Sequence, residues 1–499
     1  MKLKTIVFFI IATNWAFAQL PNKIGLFEER TDIGNPTILG KTTYNPNSQE
    51  YIMEGAGINM WEKTDQFNFL WKKIKGDFII SATVQFVGKG VNPHRKIGIM
   101  ARNSLQANSA YVDASVHGVD LTSLQYRESA GEDTKQIELS SFNPVAIEFQ
   151  RIGNEFTFSA ATKGENYKSF TKEIKLNEEV FAGLFICSHE EKVLEKAIFN
   201  NVRITIPAAK DFRPYRDYIG SQIEIMEVKT GLRKILYSAK NSLQAPNWTK
   251  DGKYLLYNCE GLMYRYSIAD GKVEVLNTGL QKQNNNDHAI SFDGKMLAIS
   301  NYFGEKRTST IYILPTSGSD KPVQLTNPEL GHSWLHSWSP DGKKLIYMGE
   351  RNKQPDIWSI DIATKKETAL TNTPTLDDGP EYTPDGKYIY FNSVRTGTMK
   401  IWRMKPDGSN QEQVTFDQYN DWFPHFSPDG KQLLYISFPP DIKPTDHPFY
   451  KKVVLRLMPT SGGVPQTIAY IYGGQGTINT PSWSPDGKYV AFVSNTKID

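Results

Sequence analysis

The chain has 499 residues, 39% of them hydrophobic and 12% aromatic, with 57 Lys and Arg set against 54 Asp and Glu. A single core stops growing near about 250 to 300 residues, so at least two domains are expected. The near-balance of charge, with no concentrated basic segment, excludes a nucleic-acid binder, because neutralising phosphates takes a clustered cationic face.

At the N-terminus Lys2 and Lys4 precede the apolar run 6–12, and Ala16-Phe17-Ala18 forms a small-x-small site before Gln19. This pattern predicts a signal peptide over residues 1–18, cleaved near Ala18, and therefore a periplasmic or secreted protein. No Cys follows the cleavage site, so a lipid anchor is not indicated. No later stretch reaches the roughly 18 to 20 apolar residues of a membrane span.

Residues 19–207 are strand-like. Stretches such as 77–86, 97–100, 145–151 and 181–186 are short, apolar or alternating, and separated by polar turns, with no helix-period run between them. That pattern predicts an all-β sandwich. The order of the phrases, with Arg151-Ile152-Gly153-Asn154 ahead of a strand and Asn200-Asn201-Val202-Arg203-Ile204 at the close, resembles the concanavalin-like sandwich modules of exported carbohydrate-active proteins. Cys187 and Cys259 each sit inside an apolar strand-like run, and two buried free thiols are expected in place of a disulfide. The Pro- and charge-containing stretch 208–218 reads as a linker.

From 219 to 499 a phrase recurs with an aromatic or aliphatic residue three places before Asp-Gly-Lys. Its copies start at Trp248, Ile290, Trp338, Tyr382, Phe426 and Trp483, and their aspartates are Asp251, Asp293, Asp341, Asp385, Asp429 and Asp486. The spacings of 42, 48, 44, 44 and 57 residues are the length of a four-stranded propeller blade. Pro-Asp-Gly is a tight-turn sequence in which proline presets φ, aspartate bonds its own backbone and glycine accepts positive φ. The strands 222–228 and 234–237 lack a turn phrase of their own, while the last phrase has too little chain after it. The pair is therefore expected to complete the last blade and close a six-bladed ring without an exposed edge. The repeated phrase resembles that of the TolB-type periplasmic propellers, over residues 219–499. The repeated aromatics are expected between blades as core, and the proline-dense insertion 438–450 as an ordered loop over one face.

No Gly-x-Ser-x-Gly elbow, phosphate-binding loop or His-Glu-x-x-His is present. The glycine-rich 472–476 precedes a strand and reads as an inter-blade loop. Candidate ligand-binding residues cluster instead where four histidines precede the innermost strands. His288 and His336 both lie five residues before their turn aspartates, His332 lies four residues before His336, and His425 enters from the fifth blade. Asp287, Asp377, Asp378, Glu381 and Asp421 share that rim, so the candidate site is His288, His332, His336, Glu381, Asp421 and His425. Imidazoles with carboxylates can hold a divalent metal. The propellers of oligogalacturonate lyases, which this chain resembles, carry such a histidine-held metal. That resemblance implies metal at His288, His332, His336 and His425 and an acidic oligosaccharide substrate for a lyase or hydrolase. The other reading is a non-enzymatic protein that binds an envelope protein or a glycan, with polar rim residues that only line the channel or join blades.

Overall fold

The computed structural model describes residues 23–119, 121–139 and 143–498; the expected signal peptide lies outside them. The N-terminal part forms two seven-stranded antiparallel sheets packed face to face. The first contains Glu29–Ile33, Phe67–Lys75, Glu179–Cys187, Lys96–Arg102, Tyr111–His117, Thr122–Arg127 and Lys135–Leu139 in that spatial order. The second carries Phe78–Val87 and Glu190–Thr205 near its middle. Period-2 alternation decides which side chains enter the core. Along Lys96–Arg102, Ile97, Ile99 and Ala101 point inward to meet Phe78, Ile80, Phe149 and Phe158 of the opposite sheet. Lys96 and Arg102 are left on the outer face.

From Ser221 onward the chain is a six-bladed β-propeller. Five four-stranded sheets follow one another, with inner strands Gln244–Trp248, Asn284–Ile290, Ser333–Trp338, Asp377–Tyr382 and Asn420–Phe426. In the sixth sheet Tyr489–Asn495 pairs with Ser221–Glu227, which in turn pairs with Arg233–Ala239. A single bridge joins Trp483 to Val490 ahead of them.

The turn phrases fold as one repeated device. In the third copy Ser339 Oγ donates to Asp341 Oδ1 at 2.6 Å, Lys343 N donates to the same oxygen at 3.1 Å, and Gly342 has φ +69°. The same Ser or Thr to Asp bond recurs in the other five copies. The aromatic or, in the second copy, isoleucine at the head of each phrase is buried. Trp338 Nε1 donates to the Ala289 carbonyl of the second blade at 2.9 Å, and Trp483 Nε1 to that of His425 at 3.3 Å. Cys187 and Cys259 are buried free thiols.

The outer face of the second sandwich sheet docks against the fifth and sixth blades. Tyr167 stacks on Tyr470 at 3.8 Å, Lys452 Nζ meets Glu148 Oε1 at 2.6 Å, and Gly164 bridges to Thr467. Beside them Arg203 of the sandwich and Arg233 of the propeller converge on buried Glu224 at 2.6 and 2.8 Å. No helix among the described residues is long and apolar enough to cross a membrane.

Candidate functional site at the propeller channel

The inner strands of the first five blades are irregular at the same place. Their pairing with the second strand slips between Gln244 and Asn247, Asn284 and His288, Leu335 and Ser337, Asp378 and Glu381, and Trp422 and His425. A bulge leaves residues out of the ladder and re-aims their side chains. Gly379 and Phe423 take φ +58° and +54° there, and a Cβ on Gly379 would lie 2.2 Å from Asn392 Oδ1, so that position requires glycine.

These slips separate histidines that counting from the turns treats as equivalent. His336 is the residue left out of the ladder in the third blade, and its Nε2 reaches Asp378 of the fourth at 3.0 Å. His288 has already rejoined the ladder opposite Ile299 and is fully enclosed. Burial pushes its pKa down to about 4. His425 Nδ1 contacts Glu381 Oε2 at 2.6 Å while its Nε2 faces the Ile478 carbonyl, so both nitrogens already have partners. His332 lies apart: its Nδ1 accepts the Ser309 N–H at 3.0 Å and its ring stacks on Trp334. Asp421 is also elsewhere, accepting from Ser437 Oγ at 2.6 Å beside Lys400 and Arg456. Asp377 pairs with Arg395 at 2.8 Å.

The four histidines therefore do not converge. Among the described residues no group of three or more His, Cys, Asp or Glu side chains is placed to hold a metal ion. What the strands bring together are two inter-blade pairs, His336 with Asp378 and His425 with Glu381. Burial opposes charge on His336, but Asp378 outweighs it and raises the His336 pKa, while His336 lowers that of Asp378.

Two further groups join this region. The insertion 438–450 folds inward, so that His447 packs edge-on against Trp422 at 4.3 Å. The segment before the propeller braces it, with Tyr215 Oη donating to Asp446 Oδ1 at 2.6 Å and Tyr215 and Tyr218 both against Phe449 at 5.5 Å. Asp287 is buried, without an ion pair among the described residues, and its pKa is pushed up to about 7 by burial against the pull of His336.

Next to Asp287 opens a cavity of about 540 Å³ lined by amides and aromatics, among them Asn258, Asn284, Asn286, Tyr218, Tyr302 and Arg307. Asn284 Nδ2 is held by the Gly261 and Gln281 carbonyls at 2.9 Å, but among the described residues its Oδ1 has no partner, and neither has Asn286 Nδ2. Arg307 lies over Tyr302 at 4.7 Å and is anchored by Gln283 Oε1 at 3.0 Å. The visible signal for this pocket is the run Asn284-Asn285-Asn286, since amides are poor strand formers and three in a buried strand call for another purpose.

The TolB beta propeller domain family model matches residues 289–441. An uncharacterized protein of Agrobacterium fabrum is 45% identical over 276 residues, which is 55% of this chain and 92% of that relative. The chain belongs to the TolB-like β-propeller family. A TolB-designated structure from Agrobacterium tumefaciens is 44% identical with a TM-score of 0.54, covering 56% of this chain and 100% of that one. TolB from Acinetobacter baumannii is 16% identical with a TM-score of 0.40, covering 66% and 79%.

Proposed function

We propose that this TolB-like protein is exported to the periplasm or beyond and acts as a binding or scaffold protein of the cell envelope, taking a protein or glycan ligand at the mouth of its propeller channel. In this reading residues 1–18 are a signal peptide, 19–207 a concanavalin-like module that adds a second recognition surface, 208–218 a linker, and 219–499 the propeller. The strand pair of Ser221–Glu227 and Arg233–Ala239 completes the last blade. The observation that carries the reading is the amide pocket beside Asp287. A buried amide atom without a partner costs free energy on the order of 1 to 3 kcal/mol, and Asn284 Oδ1 and Asn286 Nδ2 both carry that cost at one opening. A ligand presenting hydroxyls or peptide groups would satisfy them, while Tyr218 and Tyr302 supply flat apolar faces.

The test is photo-crosslinking in intact cells from a probe placed at Tyr218, in the parent and in an Asn286→Leu variant. The reading expects one envelope protein or glycan to be captured by the parent and lost from the variant. Equal capture by both, or metal-dependent turnover of a polyuronate by the purified protein, would overturn it.

A further inference from the structure

A second cavity, of about 650 Å³, lies where the sandwich meets the propeller, between the outer face of the second sheet on one side and the turn 228–232 with Gln466–Gly473 of the fifth blade on the other. We infer that this cleft is a binding site for an anionic amphiphile with a single apolar chain, of the fatty-acid class. The site is separate from the channel mouth, and the inference does not rest on the reading given to that mouth.

The cleft follows from where the two parts touch. Against Phe78–Val87 the strand Glu190–Thr205 slips in register between Asn200 and Arg203, and Asn201 takes φ +55° there. The bulge turns Asn201 toward the propeller. Its Nδ2 donates to the Gly231 carbonyl at 2.9 Å and its Oδ1 accepts from Arg233 N at 2.7 Å. The other contact is the Gly164–Thr467 bridge with the Tyr167–Tyr470 stack. The residues of both contacts line the cavity, so they bound it. Between them, period-2 alternation sends Ile80, Ala82 and Val84 into the sandwich core and leaves Ser81 and Thr83 on the outer face. With Ala146 and, on the propeller, Ala469, these put short side chains between the two contacts, and the surfaces do not meet there.

The walls select the ligand. Val145, Ala146 and Ile198 of the sandwich and Val228, Leu232 and Ile468 of the propeller make them apolar, and Val145 and Leu232 remain 42% and 40% exposed. Apolar surface left wet on both sides of one opening favours a chain that removes it from water. Every charged side chain in the lining is a cation: Lys163, Lys229 and Arg233. Arg233 is held by Glu224 at 2.8 Å, whereas Lys163 and Lys229 are exposed and form no ion pair among the described residues. Of the acids next to the lining, Glu148 is paired with Lys452 and Glu227 accepts from Thr230 Oγ1 at 2.6 Å, while Glu165 is exposed outside it. An acid head group would meet two free ammonium groups while its chain lay between apolar walls. Those walls are already held in place by the contacts on either side, and ordering done in the free protein is not charged against binding.

The experiment is isothermal titration of the full chain with octanoate, decanoate and dodecanoate, and with dodecyltrimethylammonium as the cationic counterpart, each below its micelle concentration. The carboxylates are expected to fill one saturable site, with an affinity that rises about fourfold for each added methylene and falls as salt is raised. The cationic amphiphile should not bind. The double variant Lys163→Glu, Lys229→Glu should weaken dodecanoate at least about tenfold. Both lysines are exposed, so this variant should melt like the parent. Thr83→Trp, which fills the cleft, should abolish binding, and Asn286→Leu at the channel mouth should leave it unchanged. Binding by none of the carboxylates, equal binding of the cationic amphiphile, uptake without saturation, or a dodecanoate affinity unchanged in either cleft variant would overturn the assignment. Binding lost only in Asn286→Leu would overturn it as well, by moving the chain to the channel mouth.

Discussion

Asp287 is buried in a state that costs stability. Its pKa lies at about 7 against an ordinary value of 3.8, because burial penalises the carboxylate and His336 only partly offsets it. A raised folded-state pKa means the native state holds the proton more tightly than the unfolded chain. The contribution to stability is therefore full below about pH 3.8 and is lost as pH rises through about 7. Asp287→Asn should consequently be more stable than the parent by on the order of 2 kcal/mol near pH 8, with the difference vanishing at acid pH. Urea unfolding at several pH values would measure this. A variant less stable than the parent at pH 8 would mean that the carboxylate has a partner in solution. Binding at the mouth should weaken in the same variant, the usual exchange where a functional group is kept against stability. None of this was legible from counting residues. The sequence placed His288 and His336 at one offset from their turns, but a bulge at His336 and a longer slip before His288 send one ring to Asp378 and enclose the other. Counting also grouped His332 and Asp421 with the rim, but His332 is taken up by Ser309 of the preceding blade and Asp421 by Ser437 of its own.

The strands and turns were far more legible, because what makes them is local. Asp341 bonds Ser339 and Lys343, two residues either side, so six such turns and their spacing could be read without any long-range contact. Pairing across the ring depends on residues far apart in the chain. Ser221–Glu227 is the middle strand of its sheet, with Ile225 opposite Lys234 on one side and Ala491 on the other. A middle strand has no free edge, so proline there removes a ladder bond and opposes the extended pairing, at about 3 kcal/mol or more. Ile225→Pro should therefore lower the melting temperature of the whole propeller and expose Tyr489–Asn495 as an aggregation-prone edge. Circular dichroism melts would check it, and a variant that melts like the parent would mean the ring does not depend on this pairing. The cleft between sandwich and propeller was illegible for the same reason in stronger form. Thr83, Val145, Ile198, Leu232 and Ile468 are far apart in the chain, and only the docking of the two parts assembles them.

At the scale of the whole molecule the outer face of the second sandwich sheet is used for docking against the fifth and sixth blades. The buried group that fixes this arrangement is Glu224. It accepts two bonds each from Arg203 of the sandwich and Arg233 of the propeller, and a fifth from Ser494 Oγ. Burial alone would raise the Glu224 pKa, but the two guanidinium groups hold it down to about 2 from an ordinary 4.5. With the folded value depressed, the stabilisation is present above about pH 4.5 and is lost as pH falls toward 2. Removing Glu224 leaves two buried cations uncompensated, so Glu224→Gln should cost about 3 to 5 kcal/mol at neutral pH, and less as the parent's own carboxylate protonates. Arg203→Ala asks a different question, because Glu224 keeps Arg233 and only the arm from the sandwich is gone. Calorimetry of the parent should show one transition for the docked pair, and Arg203→Ala should separate it into two by loosening the sandwich from the blades. If Arg203→Ala lowered a single transition without splitting it, the Tyr167–Tyr470 stack and the Lys452–Glu148 pair would be sufficient to couple the two parts. The fixed geometry of the cleft between them would then rest on that contact and not on the buried carboxylate.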